Sequence, residues 1–126
     1  MGAINNYLQR VLSGLSSRTP EKMITDDLWR IRHHWLGPGA FVGAPDTSML
    51  SFGGRSGLYA LVRAYRNPSE TIHVVERDLA LRLAIAESIT MLGLQNVRLH
   101  ASCLDVLALP ELDKGPVGVV HFDRKY

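Results

Sequence analysis

A glycine-rich turn between two short apolar runs constrains the fold of this chain more than any other feature. The first run, at residues 48–52, enters a turn with the sequence GGRSG at residues 53–57. A helical stripe of apolar residues follows, and a second apolar run ends on Glu76, 19 residues beyond Gly57. This order is typical of a nucleotide-binding βαβ unit, in which small residues let the backbone approach a ligand and the acid accepts hydrogen bonds from a ribose.

The rest of the chain continues the alternation of strand and helix. Short apolar runs predict strands at about 48–52, 71–76, 96–100 and 117–122, and β-branched residues are frequent in the second and fourth of them. Apolar residues at helical spacing predict helices at about 56–66, 78–92 and 103–109. Strand–helix–strand units of this length imply a parallel sheet with right-handed crossovers. We therefore predict an α/β fold with a Rossmann-like parallel sheet of about four strands and flanking helices.

An N-terminal helical extension, residues 1–46, precedes this partial Rossmann domain at residues 47–126. Its first apolar face consists of Ile4, Tyr7, Leu8, Val11, Leu12 and Leu15, and its second of Ile24, Leu28, Ile31 and Trp35. The first 20 residues contain Arg10 and Arg18 but no acid, a composition typical of mitochondrial transit sequences. An ordinary surface helix that packs its apolar stripe on the domain or on a partner explains the same pattern.

Composition and charge narrow the class of protein. The chain has 126 residues, 46% of them hydrophobic and 21% charged, as expected for one globular domain. A net charge of +2 is too small to argue for nucleic acid or for an acidic membrane surface. Because the chain has one cysteine, an internal disulfide framework is excluded and a reducing compartment is favoured. We expect an intracellular protein of the cytoplasm or the mitochondrial matrix, with no membrane span.

The turn and the acid together resemble those of the class I S-adenosylmethionine-dependent methyltransferases, and most closely the N-methyltransferases that act on nucleic-acid bases. The resemblance covers about residues 47–126. Gly53 and Gly57 match the first and third glycines of the family's G-x-G-x-G turn, which packs against the cofactor. Arg55 stands at the middle glycine, where its side chain takes space that the cofactor contact needs. Ser51 stands where the family often has an acid.

The resemblance also implies how S-adenosylmethionine would be held. Glu76, at the end of the second strand, would accept hydrogen bonds from the ribose hydroxyls. Ser102 stands where the family has an acid that contacts the adenine amino group, and it is a weaker, neutral partner. An alternative interpretation is that Glu76 is a solvated strand end and that Asp78 caps the following helix.

The last four residues resemble the catalytic motif of the base N-methyltransferases, Asp/Asn-Pro-Pro-Tyr/Phe. Asp123 would accept from the target amine and Tyr126 would stack on the base, so these two are the candidate catalytic residues. Arg124 and Lys125 replace the two prolines, which hold the motif's loop rigid. The two cations could instead touch a phosphate backbone or belong to a solvated C-terminus.

The family's strand order, 3-2-1-4, would place the strand at 117–122 at an edge of the sheet. A full methyltransferase sheet has about three further strands, and this chain has none after residue 122. An apolar edge strand with unpaired backbone groups invites pairing with another chain. We therefore expect either a fragment or a protein partner on this strand, which would be a second copy or a different subunit of a larger assembly.

Three hypotheses follow for the function. The first is a non-catalytic, methyltransferase-like module that serves as a structural or assembly subunit. The second is an S-adenosylmethionine-dependent N-methyltransferase, completed by oligomerisation, that acts on a nucleic-acid or protein amine. The third is a domain for another nucleotide, with Arg55 reaching a phosphate. No metal site is expected, because His73, His100 and His121 lie on separate strands without a nearby cluster of cysteines or acids.

Overall fold

The computed structural model describes residues 2–34, 48–53, 55–108 and 117–122. Within them the helices are α1 (Gly2–Ser13), α2 (Glu21–His34), α3 (Leu58–Arg66), α4 (Leu79–Leu92) and α5 (Cys103–Leu107). The strands are β1 (Ser48–Phe52), β2 (Thr71–Val75), β3 (Val97–His100) and β4 (Val117–Phe122). In these parts of the chain, no helix is both long and apolar enough to cross a membrane.

Strand β2 pairs in parallel with β1 on one side and with β3 on the other. In this register Leu50 lies opposite His73, and Val74 lies opposite Leu99. Helix α3 connects β1 to β2 and helix α4 connects β2 to β3, so all three strands end at the same edge of the sheet. The predicted α/β fold, with a parallel sheet and flanking helices, is confirmed.

One hydrophobic cluster joins the sheet to helices α1 to α4. Its buried members are Leu8, Val11, Ile31, Met49, Leu58, Ala60, Leu61, Val62, Ala64, Ile72, Val74, Ile85 and Val97. Three of them, Leu8, Val11 and Ile31, come from the N-terminal helices. Since these side chains are removed from water together with those of the strands, the hydrophobic effect holds α1 and α2 on the domain, where both helices contact α3.

A second, smaller cluster contains the alternate side chains of β1 and β2. Leu50, Phe52, Val75 and Val106 of α5 are its buried members. Cys103 packs against them and is half-buried. Successive strand residues point to opposite faces, so the two clusters lie on opposite sides of the sheet.

The segment between α1 and α2 is hydrogen-bonded to α4. The backbone N–H of Ser16 donates to the Ser88 hydroxyl at 2.8 Å, and the Ser16 hydroxyl donates to Glu87 Oε1 at 2.9 Å. Gly14 approaches α4 so closely that an added Cβ would lie 2.3 Å from Leu92 Cδ2. The N-terminal helices are therefore bound to the domain by polar contacts as well as by the core.

The ends of the helices follow from local backbone chemistry. Helix α3 begins at Leu58, later than predicted, because Gly57 has a φ of 79° and cannot be part of a right-handed helix. Asp78 caps α4 as expected, since its carboxylate accepts the Leu81 N–H at 3.0 Å. Gly93, at a φ of 67°, ends the same helix, because glycine adopts this left-handed conformation without strain.

Candidate functional site

The glycine turn lies at the carboxyl edge of the sheet, where parallel α/β sheets bind their ligands. Gly53 and Gly57 have φ angles of 78° and 79°, and Arg55 is also left-handed at 53°. The Gly53 N–H donates to the Val75 carbonyl at 2.9 Å, which ties the turn to β2. The positive φ of Gly57 favours glycine, and a Cβ there would also crowd the side chain of Ile85, at 3.1 Å from its Cγ1.

Glu76 follows β2 directly and is buried, with 7% of its surface exposed. One carboxylate oxygen, Oε1, accepts the backbone N–H of Arg55 at 2.9 Å. The other, Oε2, accepts the backbone N–H of Asp78 at 3.0 Å. The interpretation of Glu76 as a solvated strand end is therefore wrong, because its two oxygens bind the turn before α3 and the start of α4.

Arg55 is turned towards the N-terminal helices. Its side chain is buried, and its Nε lies 3.3 Å from Asp27 Oδ1 of α2. Its Nη2 lies 3.6 Å from Asp26 Oδ2, on the same helix. The sequence predicted that this side chain takes space at the turn, but it did not predict that α2 supplies the acids that face it.

Asp27 is the functional candidate that the sequence argument missed. Its Oδ2 accepts both the backbone N–H of Ser56, at 3.3 Å, and the Ser56 hydroxyl. Its Oδ1 accepts from Arg30 Nη1 at 3.3 Å. One signal was present: Asp27 lies four residues before Ile31, on the apolar face of its helix, where a carboxylate needs a buried partner.

Two histidines, one on β2 and one on β3, are in contact. His73 Nδ1 and His100 Nε2 are 3.0 Å apart, and the two rings are stacked with centroids 5.2 Å apart. The Glu76 N–H donates to the His100 carbonyl at 3.0 Å, which connects this pair to the end of β2. Among the residues that the structure describes, no group of three or more histidines, cysteines and acids could hold a metal ion.

Comparison with protein-family models finds no match to this chain, and comparison with curated proteins finds none either. The resemblance to methyltransferases therefore stays a prediction carried by the motif residues.

The structure brings four of the predicted cofactor residues together: Gly53, Arg55, Gly57 and Glu76. The fifth, Ser102, lies two residues beyond β3 and caps α5, since its hydroxyl accepts the Asp105 N–H at 3.4 Å. The candidate catalytic residues Asp123 and Tyr126 lie outside the described residues.

The polar groups of the turn contact acids from other parts of the chain. Glu76 accepts from backbone amides, Asp27 accepts from Ser56, and Arg55 lies against Asp26 and Asp27. A cavity of about 570 Å³ lies elsewhere, between the end of α4 and the neighbouring loops, and its lining includes Tyr65 but none of the predicted site residues. These contacts link the turn to β2 through Val75 and Glu76, and to α2 through Asp27.

Proposed function

We propose that this chain is a methyltransferase-like module that is non-catalytic and serves as a structural or assembly subunit of a larger complex. The observation that carries the proposal is the pair of backbone hydrogen bonds that the Glu76 carboxylate accepts. The two oxygens expected to hold a ribose accept from the backbone amides of Arg55 and Asp78. A ribose hydroxyl at this carboxylate would have to share or replace those bonds, and buried amides that lose their acceptor are costly.

The direction of Arg55 supports the same conclusion. Its guanidinium is paired with acids of α2 at 3.3 and 3.6 Å, so it stabilises the contact between two parts of the protein. Helix α2 is thereby held against the glycine turn. A turn that is packed against its own chain is suited to holding helices in place, which is a structural task.

The proposal includes a sheet of four strands in the order 3-2-1-4. It is supported by the parallel pairing of β4 with β1, in which Met49 is opposite Val119 and Phe52 is opposite Phe122. Among the described strands, β4 then has a neighbour on one side only. We propose that its outer backbone groups pair with a second copy or with another subunit, because exposed strand edges are templates for such pairing.

A second candidate function is favoured by the backbone of the turn. Gly53 and Gly57 keep the positive φ angles that let a backbone approach a ligand, and Glu76 stands at the end of β2. In this alternative the chain is an S-adenosylmethionine-dependent N-methyltransferase that acts on a nucleic-acid or protein amine. Oligomerisation would complete its site.

Calorimetric titration with S-adenosylmethionine and S-adenosylhomocysteine separates the two candidates. We expect no saturable binding to the unmodified chain below about 1 mM ligand, equivalent to less than about 4 kcal/mol of binding free energy. A methyltransferase that binds the cofactor serves as the positive control in the same buffer. Micromolar binding of either ligand to the unmodified chain would contradict the non-catalytic proposal.

Sedimentation analysis tests the assembly part of the proposal. Pairing of β4 with a second copy predicts a species of at least twice the monomer mass of 14.0 kDa. Its share should rise with protein concentration, because association follows mass action. A single 14.0 kDa species at every concentration would contradict pairing with a second copy.

A further inference from the structure

Helix α4 carries large apolar side chains on its outer face as well as on the face that packs into the core. Leu79, Leu83 and Met91 are 59%, 49% and 57% exposed. The inner face is formed by buried residues that include Ala84 and Ile85. The outer face of a surface helix is ordinarily polar. An apolar outer face therefore indicates a contact with a partner.

The residues along this outer face have the spacing of a coiled-coil seam. We define the α4 seam as Leu79, Leu83, Ala86 and Thr90. Successive members are four, three and four residues apart, which is the alternation of the d and a positions of a heptad. The Thr90 hydroxyl donates to the Ala86 carbonyl at 3.2 Å, so the polar atom of the seam has a partner within its own helix. The seam can therefore pack against another helix without burying an unsatisfied hydroxyl.

The two charged residues of α4, Arg82 and Glu87, flank the seam with opposite signs. With Leu83 at position a, Arg82 occupies position g and Glu87, five residues later, occupies position e of the next heptad. In a parallel pair of helices, a residue at g faces the residue at this e position of the partner helix. Two parallel copies of α4 would therefore bring Arg82 of each copy to Glu87 of the other.

The contacts of these two side chains within the chain are compatible with such a pair. Arg82 Nη1 donates to the Glu76 carbonyl at 2.9 Å, which is a neutral acceptor. The Glu87 side chain is 39% exposed, and its Oε2 lies 3.6 Å from Nε of Arg18, whose side chain is 67% exposed. An ion pair with that separation and exposure contributes little to stability. A second copy would give Arg82 a carboxylate and Glu87 a further cation.

We propose that the α4 seam is the contact surface of a parallel, two-fold symmetric pair formed with a second copy of this chain. Each seam residue packs against its own counterpart, and Arg82 of each copy faces Glu87 of the other. The charge pattern favours a second copy over a different protein, because a two-fold contact requires one surface to contain both members of each complementary pair. The inference goes beyond the proposed function, since it concerns α4 and does not depend on β4 or on the methyltransferase resemblance.

Cysteine crosslinking shows which residues of two copies meet. In a Cys103→Ser background, Leu83→Cys places a thiol within the seam, where it meets the same thiol of the second copy. Met91→Cys is the matched control, because Met91 is exposed to a similar extent but lies beside the seam. Under mild oxidation at about 200 µM protein, we expect Leu83→Cys to form a disulfide-linked dimer at least about tenfold faster than Met91→Cys, since a disulfide requires close approach of the two Cβ atoms.

Charge reversal tests the parallel orientation with the same readout. Arg82→Glu and Glu87→Arg, each combined with Leu83→Cys and Cys103→Ser, put like charges on both sides of the seam. Each variant alone should crosslink at least about tenfold more slowly than the Leu83→Cys protein with its natural charges, because like charges across an interface repel. An equimolar mixture of the two should recover the rate, since each copy then faces opposite charges. Circular dichroism checks that each variant is folded.

Equal crosslinking of Leu83→Cys and Met91→Cys would overturn the proposal, whether the outer face of α4 is bare or binds a different protein. A mixture of folded charge variants that crosslinks no faster than each variant alone would overturn it as well. If a charge variant does not fold, the comparison of Leu83→Cys with Met91→Cys decides by itself. Association through β4 alone would not favour Leu83→Cys over Met91→Cys, so failure of this proposal is distinguishable from failure of the proposed function.

Discussion

Glu70→Ala is expected to destabilise the fold by about 3–5 kcal/mol, the cost of leaving one member of a buried ion pair without its partner. Arg63 of α3 and Glu70, in the loop before β2, are 3% and 1% exposed. Their contact is bidentate, with Nε to Oε1 at 2.6 Å and Nη2 to Oε2 at 2.9 Å. Chemical denaturation of the two proteins, compared by their free energies of unfolding, measures the effect.

The matched control is the double variant Arg63→Met/Glu70→Leu. Apolar replacements of similar volume often leave stability unchanged or raise it, because the cost of taking two charges out of water disappears. We expect the double variant to recover most of the loss. A loss below about 1 kcal/mol for Glu70→Ala, which is the range of exposed ion pairs, would show that the pair is not buried in solution.

The charge state of this pair adds a pH criterion. Burial alone would lower the pKa of Arg63, but the hydrogen bond and the charge of Glu70, with a contribution from Tyr59, raise it above its ordinary value. A cation with a raised pKa stabilises the fold at every pH below its unfolded pKa, and the effect is lost only as the pH rises through the folded pKa. The cost of Glu70→Ala should therefore be the same at about pH 7 and about pH 9.

The ion pair belongs to a network at the edge of the sheet opposite to the glycine turn. Asn96 Nδ2 donates to the carbonyls of Ala64, Asn67 and Glu70, at 3.1, 3.0 and 2.9 Å. These bonds join the end of α3 and the loop before β2 to the loop before β3. This network shares no side chain with the glycine turn. Substitutions of Arg63, Glu70 or Asn96 should therefore change the free energy of unfolding without changing the affinity of the turn for a ligand.

The sequence could predict the elements because their signals are local. The strand at 48–52 matches β1, and the predicted helix at 78–92 begins one residue before α4, since Asp78 is its cap. Both depend on periodicity and on capping residues that lie within the element itself. The position of Glu76 at the end of β2 follows from the same spacing.

The partners in the candidate site could not be predicted in the same way. Asp27 and Ser56 are 29 residues apart, and only the packing of α2 on α3 brings them together. The orientation of the Arg55 side chain also depends on the packing of α2. A sequence motif fixes where a residue lies in the turn, but it does not determine which residue its side chain contacts. The pair of His73 and His100 depends on strand register, which places the two histidines on one face of adjacent strands.

Glu76→Ala is expected to lower the free energy of unfolding by about 2–4 kcal/mol without any ligand present, because two backbone amides lose their acceptor. The Arg55 amide is buried and the Asp78 amide is partly buried, so water can replace the carboxylate only in part. Glu76→Gln should cost less than the alanine variant. Its carbonyl can still accept one amide, while its NH₂ group faces the other.

Asp78→Ala is the matched control, because Asp78 is two residues away and accepts a single exposed amide, that of Leu81. The loss of such a helix cap costs about 1 kcal/mol. If Glu76 served only to bind a ribose, its replacement would leave the free energy of unfolding of the ligand-free protein unchanged. A change within about 0.5 kcal/mol for Glu76→Ala, the range of ordinary surface substitutions, would therefore contradict the structural role and favour the cofactor-binding alternative. A large loss means that the ligand-free fold already depends on this carboxylate, so a cofactor could use it only by sharing or disrupting those bonds.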